Sequence, residues 1–267
     1  MYDLDVIVVG AGIGGLSAAI ALQQTGHRVR VLDQVRDLRP AGAGISLWSN
    51  GVKVLDTLGL GAEVAAVGGR MKRMGYRDAH GDTLCDFSLA PLVERVGEYP
   101  YPVRRSDLQA LLLSALAEGT VRVGQRCVGV DDLGDRVAVD IEGGGRLEGD
   151  LVVAADGTHS RLRAHVLGRQ SERIYLGYHN WNGIVPDAAA LGDPTSWMMH
   201  VGDGRRVSTM PVRDGQYFFF DVPMETTEVT NRPPQEALRD HFAGWDPLVH
   251  RLIDAIDPSG VANIAIF

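Results

Sequence analysis

The sequence predicts an α/β fold in which a βαβ nucleotide-binding domain is interleaved with a second domain built on a mostly antiparallel β-sheet. Three observations predict it. An apolar run, Leu4–Val9, passes directly into Gly10-x-Gly12-x-x-Gly15, the strand–turn–helix opening of a dinucleotide-binding unit. Further strand and helix patterns alternate through the first half of the chain. The second half then turns strand-like and aromatic, with Trp181, Trp197, Tyr217, Phe218, Phe219 and Phe220 all falling there, and such a switch marks a nucleotide domain interrupted by a sheet-based one.

The elements follow in order. Leu4–Val9 is apolar on both faces, as buried parallel strands are. Leu16–Thr25 has helical character, Gly26 stops it, and Val29–Leu32 is the second strand, ending at Asp33. Pro40–Ile45 is a Gly/Ala-rich loop. Asn50 is placed to cap a helix over Val52–Leu58. Arg70–Arg77 and Thr83–Phe87 bracket Gly81-Asp82 as a hairpin. Ser106 is placed to cap an amphipathic helix, Asp107–Ala117, with Leu108, Leu111, Leu112 and Leu116 on one side. Strands are expected at Val121–Val123, Cys127–Val130, Arg136–Ile141 and Leu147–Val153, with a turn at Gly143-Gly144-Gly145. A short helix, Ser160–Val166, follows Asp156-Gly157. Strands at Arg173–Val185, Ser196–Val201, Arg206–Pro211 and Gln216–Val222 precede two helices, one opened by Pro233-Pro234 and one over Pro247–Ala255.

The domain boundaries expected from this pass are 1–70 with 101–172 for the nucleotide domain, and 71–100 with 173–267 for the sheet domain. The 267 residues are 45% hydrophobic and 22% charged, a globular composition that excludes a disordered chain. The net charge is −8 with no basic block, which argues against nucleic acid and anionic membrane as partners. Val6–Leu22 is apolar enough to resemble a leader or a membrane span. Yet Asp3 and Asp5 precede it, no Lys or Arg occurs before Arg28, and glycines cluster within it, so it reads as a buried strand and helix. A soluble, cytoplasmic protein is expected. Cys85 and Cys127 lack metal-ligand spacing and are expected as two buried thiols in a reducing compartment.

The glycine pattern carries the first chemistry. Gly10 permits the tight turn, Gly12 lets a pyrophosphate approach backbone amides, and Gly15 lets the helix pack on the strand. Asp33 stands where an acidic group binds ribose hydroxyls. Alone, this unit fits NAD or FAD equally. A second motif, Leu151 to Arg163, runs from a strand into Asp156-Gly157 and on through Ser160 and Arg161. Its plainer alternative is a strand-to-helix turn in which Asp156 bonds local amides. A third element, Pro102-Val103-Arg104-Arg105-Ser106-Asp107-Leu108, precedes the amphipathic helix.

Taken together, these blocks resemble the flavoprotein aromatic hydroxylases. Further blocks narrow the resemblance: Ala43 to Lys53, Asp86 to Leu92, Asn180-Trp181-Asn182-Gly183, Arg206 to Val212 and Tyr217 to Pro223. They are similar to the FAD-dependent urate hydroxylase subgroup, from the N-terminus to about Ile266. The resemblance implies a Rossmann-like FAD domain interleaved with a substrate domain, the p-hydroxybenzoate hydroxylase type of fold. It implies FAD as cofactor, NAD(P)H and O2 as co-substrates, and hydroxylation of urate to 5-hydroxyisourate. FAD contacts are implied for Gly10, Gly12, Ile13, Gly14, Gly15, Asp33, Gly44, Arg105, Val128, Asp156 and Gly157. Arg206 matches the substrate-side Arg and Tyr217 the active-site Tyr. A guanidinium suits urate, a planar anion whose edge offers paired hydrogen-bonding groups. Arg206 could instead be an exposed strand charge, and Tyr217 a core aromatic.

Two departures bear on this. Asp33 stands where many FAD-binding members have Glu, shortening its reach by one methylene. The family's later Gly-Asp-Ala-x-His-type segment is not seen before the chain stops at Ile264-Ala265-Ile266-Phe267, so an N-terminal portion, or a truncated gene product, of such an enzyme is expected. The alternatives are a hydroxylase of another aromatic acid, such as a salicylate or hydroxybenzoate, or an inactive flavin-binding fragment.

Overall fold

The computed structural model describes residues 3–38, 43–186, 191–230 and 232–267. In chain order the elements are β1 (Asp5–Val9), α1 (Ile13–Gln24), β2 (Arg28–Leu32), β3 (Gly44–Leu47), α2 (Ser49–Thr57), α3 (Gly61–Val67), β4 (Arg73–Asp78), β5 (Thr83–Ser88), α4 (Ala90–Val96), β6 (Tyr101–Arg104) and α5 (Arg105–Ser114). Then come β7 (Val121–Arg122), β8 (Cys127–Asp132), β9 (Val137–Ile141), β10 (Gly145–Gly149), β11 (Leu151–Ala154) and α6 (Arg163–Leu167). The last set is β12 (Tyr178–Val185), β13 (Ser196–Gly202), β14 (Arg205–Val212), β15 (Gly215–Pro223), α7 (Pro234–His241), α8 (Pro247–Asp254) and β16 (Ala262–Ala265). Among the described residues, no helix is long and apolar enough to cross a membrane.

The chain forms two compact units: Met1–Pro40 with Leu108–Glu172, and Ala41–Asp107 with Arg173–Phe267. In the first, a parallel sheet runs β11-β1-β2-β7. Val6, Ile7 and Val8 of β1 are buried on both faces, as expected of a central parallel strand. α1 follows and buries Gly15, Leu16, Ala19 and Ile20, a stripe at helical spacing. Gly26, at φ +90, takes the left-handed turn that leads into β2. A second sheet, β10-β9-β8, is antiparallel, and Ile7, Val9, Leu32, Cys127, Val139 and Leu162 form a shared core.

The second unit carries a seven-stranded sheet, β16-β12-β15-β14-β13-β4-β5, antiparallel except between β13 and β4. Because side chains alternate along a strand, β15 sends Phe218, Phe220 and Val222 to one face and Tyr217, Phe219 and Asp221 to the other. The first set packs with Trp181, Leu238, Phe242, Trp245, Val249, Leu252 and Ile253, and so beneath α7 and α8. The second set shares its face with Met71, Met74, Trp197, Met199 and Met210.

Several expectations are corrected by tertiary context. Asn50 is not a cap: α2 starts at Ser49 behind Trp48, whose ring is fixed against Trp197 at 5.6 Å. Ser106 likewise lies inside α5, which starts at Arg105. The strand expected over Leu147–Val153 is two strands. It breaks at Asp150, whose carboxylate accepts from the Asp5 amide at 2.7 Å and from Arg136 Nη1 at 3.2 Å as the chain changes sheets. Only Tyr178–Val185 of the strand expected from Arg173 forms, and β3, β6, α3, α4 and β16 form where no such element is expected, β3 taking the end of the expected Pro40–Ile45 loop. The expected helix over Ser160–Val166 is the shorter α6. Cys85 is exposed, not buried, because β5 is the sheet edge and every one of its residues is exposed. Residues 40–42 of the expected Gly/Ala-rich loop lie outside the described residues. By packing, 41–70 and 101–107 go with the sheet-rich unit, unlike the expected domains: β3 pairs with β6, and Gly68 bridges to Val212.

Candidate active site

In the first unit the site is a cleft of about 600 Å³ at the C-terminal ends of β1, β2 and β11, lined among others by Gly10, Gly12, Asp33, Ala155, Asp156 and Arg161. Its glycines do different work. A Cβ on Gly10 would meet the Ala155 carbonyl oxygen at 2.2 Å, and one on Gly15 the Gly10 carbonyl oxygen at 1.9 Å. These two let the turn lie against the β11 end and let α1 dock on β1. Around Gly12 and Gly14 a Cβ would meet nothing within 4 Å, and both residues are exposed. Gly12 is also the α1 N-cap, with no side chain capping it, and Ile13 is the first helical residue. This is an open helix N-terminus with no Cβ in the way, the form that accepts a pyrophosphate.

Asp33 directly follows β2, at the end of the strand as expected. Its Oδ2 accepts from the Ala11 amide at 2.7 Å and its Oδ1 from the Val35 amide at 2.9 Å, so it braces the glycine turn. Each oxygen keeps a lone pair for a ribose hydroxyl. Gln109, buried on α5, donates to the Ala11 carbonyl at 3.1 Å and braces the same turn. Asp156 bonds its own loop. It accepts from Ser160 Oγ at 2.7 Å and from the amides of Arg161 and Leu162 at 2.7 and 3.2 Å. Gly157, at φ +76, turns the chain, and Arg163 donates to the carbonyls of Gly157 and Thr158. The cleft wall includes Cys127, whose thiol is pushed up by burial. Val128, next in the chain, is 41% exposed and faces a second cleft with Ser160, Arg161 and Arg163.

In the second unit Arg206 and Tyr217 lie on one face of the seven-stranded sheet. Arg206 stands opposite Asp221, and Asp221 opposite Asn180, on the neighbouring strands β14, β15 and β12. Asp221 Oδ2 accepts from Arg206 Nε at 2.7 Å and also from Nη2. Its Oδ1 accepts from Asn180 Nδ2 at 2.6 Å. Asn182 Nδ2 donates to Asn180 Oδ1 at 2.8 Å, and the Ala43 amide donates to Asn182 Oδ1 at 3.3 Å. The Arg206 guanidinium also lies 5.0 Å from the Phe219 ring centroid, a cation–π contact.

Tyr217 packs against β3. A Cβ on Gly44 would meet the Tyr217 ring at 2.6 Å, so the absence of a side chain there seats the ring. Burial pushes the phenol above its ordinary pKa; the Arg105 guanidinium pulls it back in part, and the Asp221 carboxylate adds to the rise. Arg105 opens α5, and its amide donates to the Ala43 carbonyl at 3.2 Å. Phe218 faces the opposite core.

The structure adds Asp221, Asn180, Asn182 and Gln109 to the residues to which the sequence points. The available signal was two asparagines at i and i+2 inside a mostly buried strand, where polar groups need partners.

Residues 3–258 match the family model described as FAD binding domain. The chain is 45% identical to the FAD-dependent urate hydroxylase of Mycolicibacterium vanbaalenii, over 98% of this chain and 68% of that protein. It is 46% identical to the FAD-dependent urate hydroxylase of Klebsiella pneumoniae, over 98% and 69%. It also superimposes on the crystal structure of K. pneumoniae HpxO complexed with FAD and uric acid, with a TM-score of 0.94 at 44% identity, over 98% of this chain and 68% of that one.

Proposed function

Since the chain belongs to the FAD-binding-domain family, and within it to the FAD-dependent urate hydroxylase group, we propose that it hydroxylates urate to 5-hydroxyisourate, using NAD(P)H and O2. The observation that carries this reading is a polar ladder, Asn180–Asp221–Arg206, presented with Tyr217 on a sheet face that also carries Met74, Trp197, Met199, Met210 and Phe219. Likeness to urate hydroxylases extends over that sheet as well as the nucleotide cleft, since 98% of the chain is covered.

FAD, when bound, supplies the redox chemistry: it accepts a hydride from NAD(P)H and activates O2 for transfer of one oxygen atom. The chain's own residues do the rest. Gly12, Ile13, Gly14 and the α1 N-terminus hold the pyrophosphate, on the turn that Gly10 and Gly15 make possible; Asp33 holds a ribose hydroxyl. Asp156 and Gly157 shape the cleft rim, with Val128 beyond it. Gly44 and Arg105 serve the flavin. The Arg206 guanidinium meets the urate edge with paired hydrogen bonds and offsets its negative charge. Tyr217, whose phenol burial pushes above its ordinary pKa, offers its hydroxyl as a hydrogen-bond donor to the same ligand. The protein works in the cytoplasm, where NAD(P)H is abundant and the exposed Cys85 thiol stays reduced.

The test is NADH consumption by the FAD-loaded chain across urate, salicylate and 4-hydroxybenzoate, with the product followed by mass spectrometry. Urate alone is expected to stimulate consumption and to gain one oxygen. Stimulation by a benzoate and none by urate would overturn the assignment.

A further inference from the structure

We propose that Asp221 is a positioning residue that sets the orientation of the Arg206 guanidinium and thereby the alignment of the substrate. This rests on the reading above that Arg206 meets the substrate. Asp221 is 7% exposed, and both of its oxygens are engaged. Oδ2 takes the Nε/Nη2 edge of Arg206, and Oδ1 takes Asn180. Among the described residues no acceptor engages Arg206 Nη1, and the Arg206 side chain is 43% exposed. The guanidinium is a planar fork. With its side edge taken by Asp221, the edge left for a ligand is Nη1/Nη2, whose two N–H bonds run parallel. That edge matches two adjacent acceptors on a flat heterocyclic anion.

A carboxylate–guanidinium pair is often no better for stability than an apolar pair of similar volume, and with the Arg206 side chain 43% exposed, water screens this one. What the pair supplies is direction. Rotation about Cδ–Nε is stopped by the two contacts that Nε and Nη2 make to Oδ2, and Phe219 lies 5.0 Å away as a further restraint on the guanidinium. The carboxylate is stopped in turn. Asn180 holds Oδ1, Asn182 holds Asn180, and the Ala43 amide holds Asn182. Ala43 precedes Gly44, against which Tyr217 packs. One chain of bonds therefore runs from the substrate-facing guanidinium to the strand that seats Tyr217. Orientation fixed before binding need not be bought during it.

Asp221→Asn tests this at nearly constant shape. An Asn facing Arg206 through its oxygen turns its NH2 toward the Asn180 NH2, so one of the two carboxamides must flip and a bond is lost. In the FAD-loaded chain, FAD affinity and melting temperature are expected to hold. Urate kcat/KM should fall roughly tenfold to a hundredfold, and hydrogen peroxide formed per NADH should rise, because misaligned substrate lets oxygen transfer fail. Independently of turnover, the Arg206 Nε–H resonance, assigned by its loss in Arg206→Lys, is expected to exchange slowly in the wild type and quickly in the variant. Asn180→Ala, which frees Oδ1 but keeps the charge, should move the same readouts by less, and it decides the matter if Asp221→Asn does not fold. Unchanged coupling together with a retained slow Nε–H would overturn the proposal, as would a kinetic loss that only tracks a loss of folded protein. If the wild type ignores urate, the reading of function fails, and the Nε–H exchange alone decides whether Asp221 orients Arg206.

Discussion

Two alanine substitutions in the glycine turn should have opposite signatures. In Gly15→Ala the new Cβ would sit 1.9 Å from the Gly10 carbonyl oxygen, about 1.5 Å short of ordinary van der Waals contact, and 3.2 Å from the Ala155 Cβ. Gly10 cannot yield. Its amide donates to the Leu32 carbonyl at 2.7 Å, and the Ala155 carbonyl blocks its other side. α1 must therefore lift from β1. Overpacking of this kind costs about 1–3 kcal/mol, and a chain of this size loses about 2–4 °C of Tm per kcal/mol, so a fall of roughly 2–12 °C is expected. Gly12→Ala meets nothing within 4 Å and keeps an accessible φ of −74. Its stability should change by less than about 1 kcal/mol. Its methyl group instead occupies the space a pyrophosphate must enter. Losing one charge-assisted bond at about 1.5–3 kcal/mol raises the Kd for FAD roughly tenfold to a hundredfold. The assays are thermal melting without added FAD, because bound ligand itself raises Tm, and flavin fluorescence titration. Wild-type FAD affinity in Gly12→Ala would refute the assignment of the open glycines to the pyrophosphate. An unchanged Tm in Gly15→Ala would refute the packing argument.

Gly44→Ala drives a methyl group into the Tyr217 ring, 2.6 Å from its Cγ. A ring displacement of about 1 Å should lower urate kcat/KM roughly a hundredfold; unchanged steady-state kinetics would show that the ring's position does not matter. His200 is buried with Nε2 2.9 Å from Asp246 Oδ2, and burial holds its pKa below the ordinary 6.5 despite that carboxylate. His241 is held down by burial and by Arg205. The unfolded chain therefore takes up these protons first. Stability is full above about pH 6.5 and falls on acidification toward the folded values, by at most about 1.4 kcal/mol per pH unit for each His. Melting curves at pH 7.5, 6.5 and 5.5 should show Tm dropping, with a shallower drop in His200→Gln. A Tm that rises toward pH 5.5 would mean that His200 is a charged ion-pair partner instead.

The nucleotide half was legible because its signals are contiguous. Strand, Gly10-x-Gly12-x-x-Gly15, helix and Asp33 lie within one short stretch, and each residue type answers a local demand of backbone space or charge. The hairpin of β4 and β5 and the strand over Gln216–Val222 were legible for the same reason. Helix starts were not. Asn50 and Ser106 are good caps by type, but both helices start nearer the N-terminus, at Ser49 beside a Trp48 seated on Trp197 and at Arg105 directly after the β6 strand that pairs with β3. Other features depended wholly on which distant strands meet. Cys85 is exposed because β5 ends a sheet, and Asp150 breaks a strand because Asp5 lies beside it. The bond between Asn180 and Asp221 spans 41 residues, and that between Arg206 and Asp221 spans 15. The sequence by itself determined that a dinucleotide cleft exists and which side chains share a sheet face, since those follow from local geometry and a period of two. Only the tertiary structure decided which carboxylate holds Arg206 and which of its edges stays open, because hydrogen bonds form between strands whose register is set by packing across the whole sheet.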